Sequence, residues 1–418
     1  MPYQKQICMI LSNQKLKPKQ MKIFFLPLLL ICCIPVFSQQ HTATQQAAID
    51  LFTQNKDVEA IAMFKKALQE NPKDIFSLNA LGVIFNRNNK YAEQYESSAK
   101  GMSITGDKGQ PFIIQHAESG IELGKNAEAL QLLDGLVMQD ATLPFMPKAH
   151  YLRGRALDGL GKIQEAIGAY SKTIQLANDY SIAYYYRGKD FNSISRSPNA
   201  LKDFDTYISQ DDHAPSYVYS ERGVALFNLN RFDEAITDFT KSISLNPSDY
   251  MTFYNRGNTY MELGNIASAK ADYKSVLAKT NNYAGAYWRM AWVLEKEKSY
   301  AEALSMAEKS ITMQPKTANY LAVYCLILID LNREKEAIPV ADQILAVDEK
   351  NTDGWLYKTI AYSNISDYNS ALSTISTGIG KVPDNYLLYG LRANIYRHLN
   401  NDAAAAADDA KAKELSSK

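Results

Sequence analysis

The chain lacks the residue patterns on which most enzyme, metal and nucleic-acid sites depend. Its 418 residues include only four cysteines and five histidines, and no HExxH, GxxxxGK[ST], GxGxxG or GxSxG sequence occurs. Zinc-protease sites, phosphate-binding loops and serine-hydrolase turns therefore have no candidate, and we expect neither catalysis nor a cofactor or metal. Charge of one sign is also missing, because 45 basic residues balance 45 acidic ones. This balance argues against a nucleic-acid partner.

Long apolar runs are missing too, apart from one near the N-terminus. The run IFFLPLLLICCIPVF follows Met21 and Lys22 and ends just before Ser38. A basic start, a short apolar core and a small final residue predict a secretory signal peptide that starts at Met21 and is cleaved after Ser38. The run holds 15 residues, which is short for a membrane span. We therefore expect an exported protein, periplasmic or secreted, without membrane association after cleavage.

Three alternatives for the N-terminus stay open: an uncleaved membrane anchor, lipidation at Cys32 or Cys33, and translation of residues 1–20 as part of the chain. Cleavage after Ser38 would remove five lysines and no acid, leaving 40 basic and 45 acidic residues. It would also leave Cys325 as the sole cysteine, which excludes an internal disulfide.

Small residues recur along the chain at a nearly constant interval. They lie 34 residues apart from Ala235 to Ala405, and 34 to 37 residues apart before that. This interval is typical of a helix pair that is copied and stacked, so that each copy packs on the next. The series, in which Gln94 is the exception in size, is Ala60, Gln94, Ala129, Ala166, Ala200, Ala235, Ala269, Ala303, Ala337, Ala371 and Ala405.

Each copy predicts two helices with a turn between them. In the copy from Tyr250 to Tyr283, apolar or small residues recur at i, i+4 and i+7 on both sides of Gly264, which tolerates the positive φ of a turn that ends a helix. Gly257 on the first helix and Ala269 on the second allow close approach, and Tyr273 fills the space beside them. Helices of about 13 residues are marginal alone, so the copies must stack.

The repeat is clearest in three segments: YYRGKDF at 185–191, ERGVALFNLNRFDEAITDFTKSISLNP at 221–247 and YNRGNTYMELGNIASAKADYKSVL at 254–277. With these motifs the chain resembles a tetratricopeptide repeat protein. The resemblance implies an all-α fold, a right-handed superhelical α-solenoid of stacked antiparallel helix pairs.

Eleven repeat units are predicted after a leader at 1–38. Residues 41–146 hold divergent repeats, and residues 147–418 hold well-matched repeats that end in a polar capping helix. Met138–Pro147 is a candidate break in the stack. The units are 41–74, 75–108, 110–146, 147–180, 181–214, 216–249, 250–283, 284–317, 318–351, 352–385 and 386–418.

The resemblance also implies a concave groove lined by the second, fifth, ninth and twelfth residues of each repeat. Trp288 and Trp292 lie at i and i+4, so they project side by side. Such side chains either form an aromatic and basic recognition strip or pack between adjacent helices. Only part of the residue set that grips a C-terminal carboxylate in related proteins is present. The predicted groove residues are Lys148, Tyr151, Arg155, Tyr185, Lys189, Asn192, Tyr254, Asn258, Trp288 and Trp292.

An Arg-Gly pair recurs four times, at Arg153, Arg187, Arg222 and Arg256. The arginine could bind an anionic partner. We favour a structural role, in which its stem lies on a neighbouring helix and its guanidinium pairs with an acid there.

The repeats and the leader together predict a non-catalytic protein–protein interaction scaffold outside the cytoplasm, which binds a peptide or protein in its groove. The alternative is a module that binds a glycan or cell-wall polymer through the groove aromatics.

Overall fold

The computed structural model of the protein describes residues 41–106, 109–138 and 143–417. These residues form twenty-two α-helices, and no strand occurs among them. The predicted all-α class is therefore confirmed. Consecutive helices are joined by short turns and pack against each other, which makes each pair an antiparallel hairpin. The predicted signal peptide lies outside the described residues.

The chain divides into two compact units between His213 and Ala214. Unit 1 contains α1 (Ala43–Thr53), α2 (Asp57–Glu70), α3 (Ile75–Arg87), α4 (Tyr91–Thr105), α5 (Gln110–Glu122), α6 (Asn126–Val137), α7 (Met146–Gly159), α8 (Ile163–Leu176), α9 (Ser181–Ser193) and α10 (Ser197–Gln210).

Unit 2 contains α11 (Ser216–Asn228), α12 (Phe232–Leu245), α13 (Tyr250–Glu262), α14 (Ile266–Lys279), α15 (Ala284–Lys296), α16 (Tyr300–Met313), α17 (Ala318–Asp330), α18 (Glu334–Val347), α19 (Thr352–Asn364), α20 (Tyr368–Lys381), α21 (Tyr386–His398) and α22 (Asp402–Ser416). Odd-numbered helices are the first helices of the hairpins and even-numbered helices the second, so the eleven hairpins match the eleven predicted repeats.

Every hairpin turns at one residue with positive φ. Gly264 has a φ of 70°, as predicted, and the next backbone N–H, of Asn265, donates to the Tyr260 carbonyl at 2.8 Å. A left-handed residue at this place ends the first helix. Most hairpins use a residue other than glycine here. The turn residues are Asn55, Asn89, Gly124, Gly161, Ser195, Asn230, Gly264, Lys298, Asn332, Ser366 and Asn400.

The interface between the two helices of a hairpin, which we call its seam, is packed as the sequence of the copy from Tyr250 to Tyr283 predicts. Ala269 and Tyr273 on α14 are fully buried. A Cβ atom added to Gly257 on α13 would lie 2.8 Å from the Tyr273 ring, which is too close for a real contact. The absence of a side chain at Gly257 is therefore what admits the ring.

The divergent second repeat closes its seam differently. Ser98 on α4 replaces the aromatic residue of other copies, and Gly101 replaces the small residue one turn later. The Phe112 ring of the following first helix, α5, covers Gly101, since a Cβ there would lie 2.2 Å from Phe112 Cδ1. A side chain from the next hairpin thus supplies the volume that this repeat lacks. The domain limits predicted near residue 146 stay a prediction, and residues 139–142 of the suspected break lie outside the described ranges.

Candidate partner-binding surface

The first helices of each unit share one side of the stack. A first helix directly contacts the first helix of the next hairpin, although a second helix lies between them in the sequence. Examples are α5 with α7 in unit 1 and α15 with α17 in unit 2. We call the sides of the first helices that the seams leave uncovered the first-helix face of each unit. The ten predicted groove residues all lie on first helices, from α7 to α15.

The predicted basic residues of unit 1 are mostly paired with acids of the preceding hairpin. Lys148 Nζ lies 3.0 Å from Glu118 Oε2, and Arg155 donates to Glu122 Oε1 at 3.2 Å. Glu118 and Glu122 are one turn apart on α5, so each neutralises one cation of α7. Lys189 is exposed on α9, and no ion pair of Lys189 occurs within the described ranges.

The predicted aromatic residues of unit 1 pack between helices. The Tyr151 ring lies 5.7 Å from the Tyr186 ring and 5.4 Å from Tyr180. The Tyr185 ring lies 5.1 Å from Tyr186 and 6.3 Å from Phe204. Both side chains are half-buried, and burial raises the pKa of Tyr151 far above its usual value. The Tyr151 ring thus stabilises the α7–α9 contact, whereas the Tyr185 ring packs within the α9–α10 hairpin.

Asn192, Tyr254 and Asn258 are half-buried as well. Tyr254 meets the Tyr283 ring edge-on at 5.0 Å, and Asn258 accepts a hydrogen bond from the Tyr273 hydroxyl at 2.8 Å. The Asn258 amide oxygen is therefore committed to the α13–α14 seam.

Trp288 and Trp292 lie side by side on α15 and are half-buried. Trp288 stacks on Tyr320 of α17 with ring centroids 5.4 Å apart. The Arg289 guanidinium carbon lies 4.4 Å from the Trp288 ring centroid and 5.8 Å from that of Trp292. The pair is thus partly packed against neighbours and partly open.

Arg289 is a residue that the sequence analysis missed. Its side chain makes neither an ion pair nor a hydrogen bond within the described part of the chain, although its Nε atom is buried. Every other described arginine on a first helix has a carboxylate partner. These pairs are Arg87–Asp57, Arg153–Asp134, Arg155–Glu122, Arg187–Asp203, Arg222–Asp238, Arg256–Asp272, Arg392–Asp408 and Arg397–Asp409.

The structural interpretation of the Arg-Gly pairs is confirmed. Four first-helix arginines each donate two hydrogen bonds of 2.7–2.9 Å to an aspartate sixteen residues later on the second helix of the same hairpin: Arg187–Asp203, Arg222–Asp238, Arg256–Asp272 and Arg392–Asp408. Arg153 pairs instead with Asp134 on the preceding second helix, at 2.6 Å. These arginines are committed to holding helices together.

In the described part of unit 2, most buried polar atoms without a hydrogen-bond partner lie on α15 and α17. In the described part of unit 2 they are Trp288 Nε1, Arg289 Nε, Glu295 Oε2, Asp330 Oδ2 and Ser363 Oγ, and four of these five belong to α15 or α17. Lys296 Nζ lies 3.2 Å from Glu295 Oε2 without an aligned hydrogen bond. Native structures rarely leave such atoms unpaired, so these atoms are candidates for pairing with a ligand, as are similar atoms on helices of unit 1.

One constellation elsewhere has the residue types of a hydrolase. Ser98 Oγ lies 3.1 Å from His116 Nδ1, and His116 Nε2 lies 3.3 Å from Glu128 Oε1. The Tyr95 hydroxyl donates to the same Glu128 oxygen at 2.7 Å and lowers the pKa of Glu128. Ser98 is fully buried, however, so no substrate reaches it. The network joins α4, α5 and α6.

Within the described ranges, no three or more His, Cys, Asp or Glu side chains are grouped to hold a metal ion. No helix there combines the length and apolar composition needed to cross a membrane.

Consecutive helical hairpins that pack on one another are typical of a helical repeat protein. Comparison with known families identifies the repeat, because models of the tetratricopeptide repeat match residues 115–181, 216–249 and 254–318. The chain thus carries tetratricopeptide repeats in both units.

Proteins of similar sequence match part of this chain. Tetratricopeptide repeat protein 13 of Homo sapiens is 30% identical over 160 residues, which cover 35% of this chain and 18% of that protein. Hsp70-Hsp90 organizing protein 3 of Arabidopsis thaliana is 19% identical over 246 residues, covering 57% and 43%. The chain therefore spans less than half the length of either relative. The crystal structure of the APC/C hetero-tetramer Cut9-Hcn1 is similar with a TM-score of 0.45 at 13% identity, covering 94% of this chain and 96% of that chain.

Proposed function

We propose that the chain is a non-catalytic interaction scaffold outside the cytoplasm, and that the first-helix face of unit 2 binds an extended peptide or protein segment. The observation that carries this proposal is the unpaired Arg289 beside Trp288, where two buried donor atoms have no acceptor. Arg289 is half-buried, so an incoming carbonyl or carboxylate oxygen can supply the acceptor that the described residues do not, in a charge-assisted hydrogen bond.

The residue types at this place suit protein recognition. Tryptophan and arginine are enriched among the residues that dominate binding energy at interfaces. Trp288, Arg289 and Trp292 lie within two turns of α15, and Tyr320 of α17 extends the aromatic surface. The Hsp70-Hsp90 organizing protein that this chain resembles is named for its protein partners, which supports the same class of function.

A peptide-display selection tests the proposal. Peptides enriched at micromolar concentration on the wild-type chain should bind Arg289→Ala at least tenfold more weakly. They should also bind Trp288→Phe more weakly, because phenylalanine keeps the ring but lacks the Nε1 donor. Arg333→Ala is the matched control, since Arg333 is half-buried at the start of α18 and paired with Glu336. Enrichment of no peptide, or equal binding by Arg289→Ala, would contradict the proposal.

The competing function is glycan binding by the same aromatic rings. Tyr320 and Arg289 already contact the Trp288 ring, which leaves less of that ring for a sugar to stack on. Tryptophan fluorescence separates the two functions: quenching by oligosaccharides but not by the selected peptides would favour the glycan.

The proposed location outside the cytoplasm, periplasmic or secreted, rests on the apolar run at residues 23–37. N-terminal sequencing of the mature protein should give Gln39 as the first residue. A mature chain that begins before residue 30 would contradict cleavage after Ser38.

A further inference from the structure

Two aspartates of neighbouring first helices in unit 1 lie within hydrogen-bonding reach of each other. Asp158 lies near the end of α7 and Asp190 on α9, where only 5% of Asp190 is exposed. The Tyr170 hydroxyl donates to Asp158 Oδ2 at 2.5 Å. Asp158 Oδ1 and Asp190 Oδ2 are buried and find no aligned hydrogen-bond donor among the described residues. The Tyr170 hydroxyl already donates to Asp158 Oδ2. The donor that can bridge the two carboxyls is therefore a proton carried by one of them.

The charges around the pair do not replace that proton. Lys189 and Arg155 attract the two carboxylates, but Lys189 is exposed and Arg155 is paired with Glu122. Burial, reinforced by the neighbouring Asp158 carboxyl, raises the pKa of Asp190 to about 8. Burial also raises the pKa of Asp158, against the Tyr170 hydrogen bond that lowers it. Two carboxylates that share a dry site do not both ionise at neutral pH.

We propose that Asp158 and Asp190 share one proton at neutral pH and make the contact between hairpins α7–α8 and α9–α10 sensitive to pH. Loss of the proton places two negative charges between α7 and α9 and so weakens the contact between these helices. It also adds one negative charge beside Lys189 on the first-helix face of unit 1. This inference is independent of the peptide site proposed on α15.

The direction of the effect follows from proton linkage. The native pair holds a proton that the unfolded chain releases near the ordinary pKa of aspartate, about 3.9. Stability from this pair is therefore complete below about pH 4 and decreases as the pH rises, until the native pair is itself ionised near pH 8. Above that pH the pair contributes no further pH dependence.

Infrared spectroscopy of the full chain detects the proton directly, because a neutral carboxyl has a C=O stretch distinct from that of a carboxylate. The wild-type chain at pH 7 should show one such band, and the band should disappear as the pH rises through about 8. Asp190→Asn and Asp158→Asn should each abolish it. Glu59→Gln, at an exposed position on α2, should leave it unchanged.

Amide hydrogen exchange measures the consequence. The ratio of protection factors between the wild-type chain and Asp190→Asn, taken over α7 and α9, should fall by up to about tenfold per pH unit between pH 6 and 8 and then level off. Asp158→Asn replaces Asp190→Asn if the latter does not fold. A wild-type chain without a neutral carboxyl band at pH 7, or a protection ratio that is independent of pH, would overturn the proposal.

Discussion

Two consecutive hairpins of unit 2 have different residue types at corresponding positions of their seams, charged in one and apolar in the other. In α13–α14 the seam contains the ion pair of Arg256 and Asp272, with Asp272 almost completely buried. Thirty-four residues later, in α15–α16, the corresponding residues are Met290, which is buried in the apolar core, and Met306, which is half-buried against it. The arginine of the second hairpin, Arg289, lies one position earlier, which turns it by about 100° around the helix. It leaves the seam and reaches the first-helix face.

The packing volume next to that pair is also distributed differently. Gly257 faces the Tyr273 ring in α13–α14, whereas Ala291 and Ala307 occupy the corresponding places in α15–α16. Tyr273, Ala291 and Ala307 are all fully or almost fully buried. One backbone arrangement therefore accepts either an ionic seam with a large ring or an apolar seam with small residues. An arginine becomes available for a partner only where the seam no longer uses it.

The largest expected effect is the loss of one member of the ionic seam. Arg256→Ala or Asp272→Ala leaves a buried charge without its partner, and we expect a loss of about 3 kcal/mol in the free energy of unfolding. Arg289→Ala removes no ion pair but two cation–π contacts, and should lower that free energy by about 1 kcal/mol or less. Urea denaturation measures both. Equal destabilisation would mean that Arg289 also acts in the seam.

A smaller effect is expected from adding a methyl group to the ionic hairpin. In Gly257→Ala the new Cβ would meet the Tyr273 ring at 2.8 Å, so we expect a loss of about 1–3 kcal/mol from overpacking. The reverse change in the apolar hairpin, Ala291→Gly, should cost about 0.5–1 kcal/mol through helix propensity. Thermal denaturation compares the two. A neutral Gly257→Ala would show that Tyr273 can move aside.

Exchanging the chemistry of the seam should cost less still. Arg256→Met combined with Asp272→Met copies the apolar hairpin, and removal of both charges should leave the free energy of unfolding within about 1 kcal/mol of the wild type. The single variants above are its controls. A double variant as unstable as either single one would indicate that Tyr273 and the methionines cannot pack together.

The smallest effect concerns the paired cations of unit 1. Glu118→Gln with Glu122→Gln should change stability by less than about 1 kcal/mol, because partly exposed pairs contribute little. It should also release Lys148 and Arg155, so that an acidic peptide, tetraglutamate, binds the variant more strongly than the wild type at low salt. Isothermal titration calorimetry measures this difference. No gain in binding would mean that these cations stay covered after the acids are removed.

The sequence predicted the helical hairpins well, since periodic contacts between elements close in the chain specify them. The prediction of the candidate surface is more uneven. Trp288 and Trp292 were singled out because aromatic residues at i and i+4 are visible in any helix. Arg289 was missed, because nothing in its own segment shows that it lacks an acid. Its signal is a comparison between copies, in which the arginine lies one residue out of register.

The C-terminal helix shows the same limit. Asp408 and Asp409 are adjacent in the C-terminal helix, which the sequence analysis predicts to be a polar cap. The structure separates them: Asp408 is 6% exposed and accepts two hydrogen bonds from Arg392, whereas Asp409 is exposed and paired with Arg397. Asp408 therefore belongs to the packed interface of the last hairpin and not to the solvated surface of the cap. A pair sixteen residues apart becomes visible only when both helices of the hairpin are in place.

The amino-acid sequence by itself determined the repeat, the number of hairpins and the small-to-large packing along each seam, because these depend on contacts within one copy or between adjacent copies. Only the tertiary structure decided which charged groups are paired, which buried polar atoms lack partners, and that Asp158 and Asp190 meet. Such pairings depend on side-chain direction and burial across several helices. A helix pattern fixes which side of a helix a residue occupies, but not what faces it from the next helix.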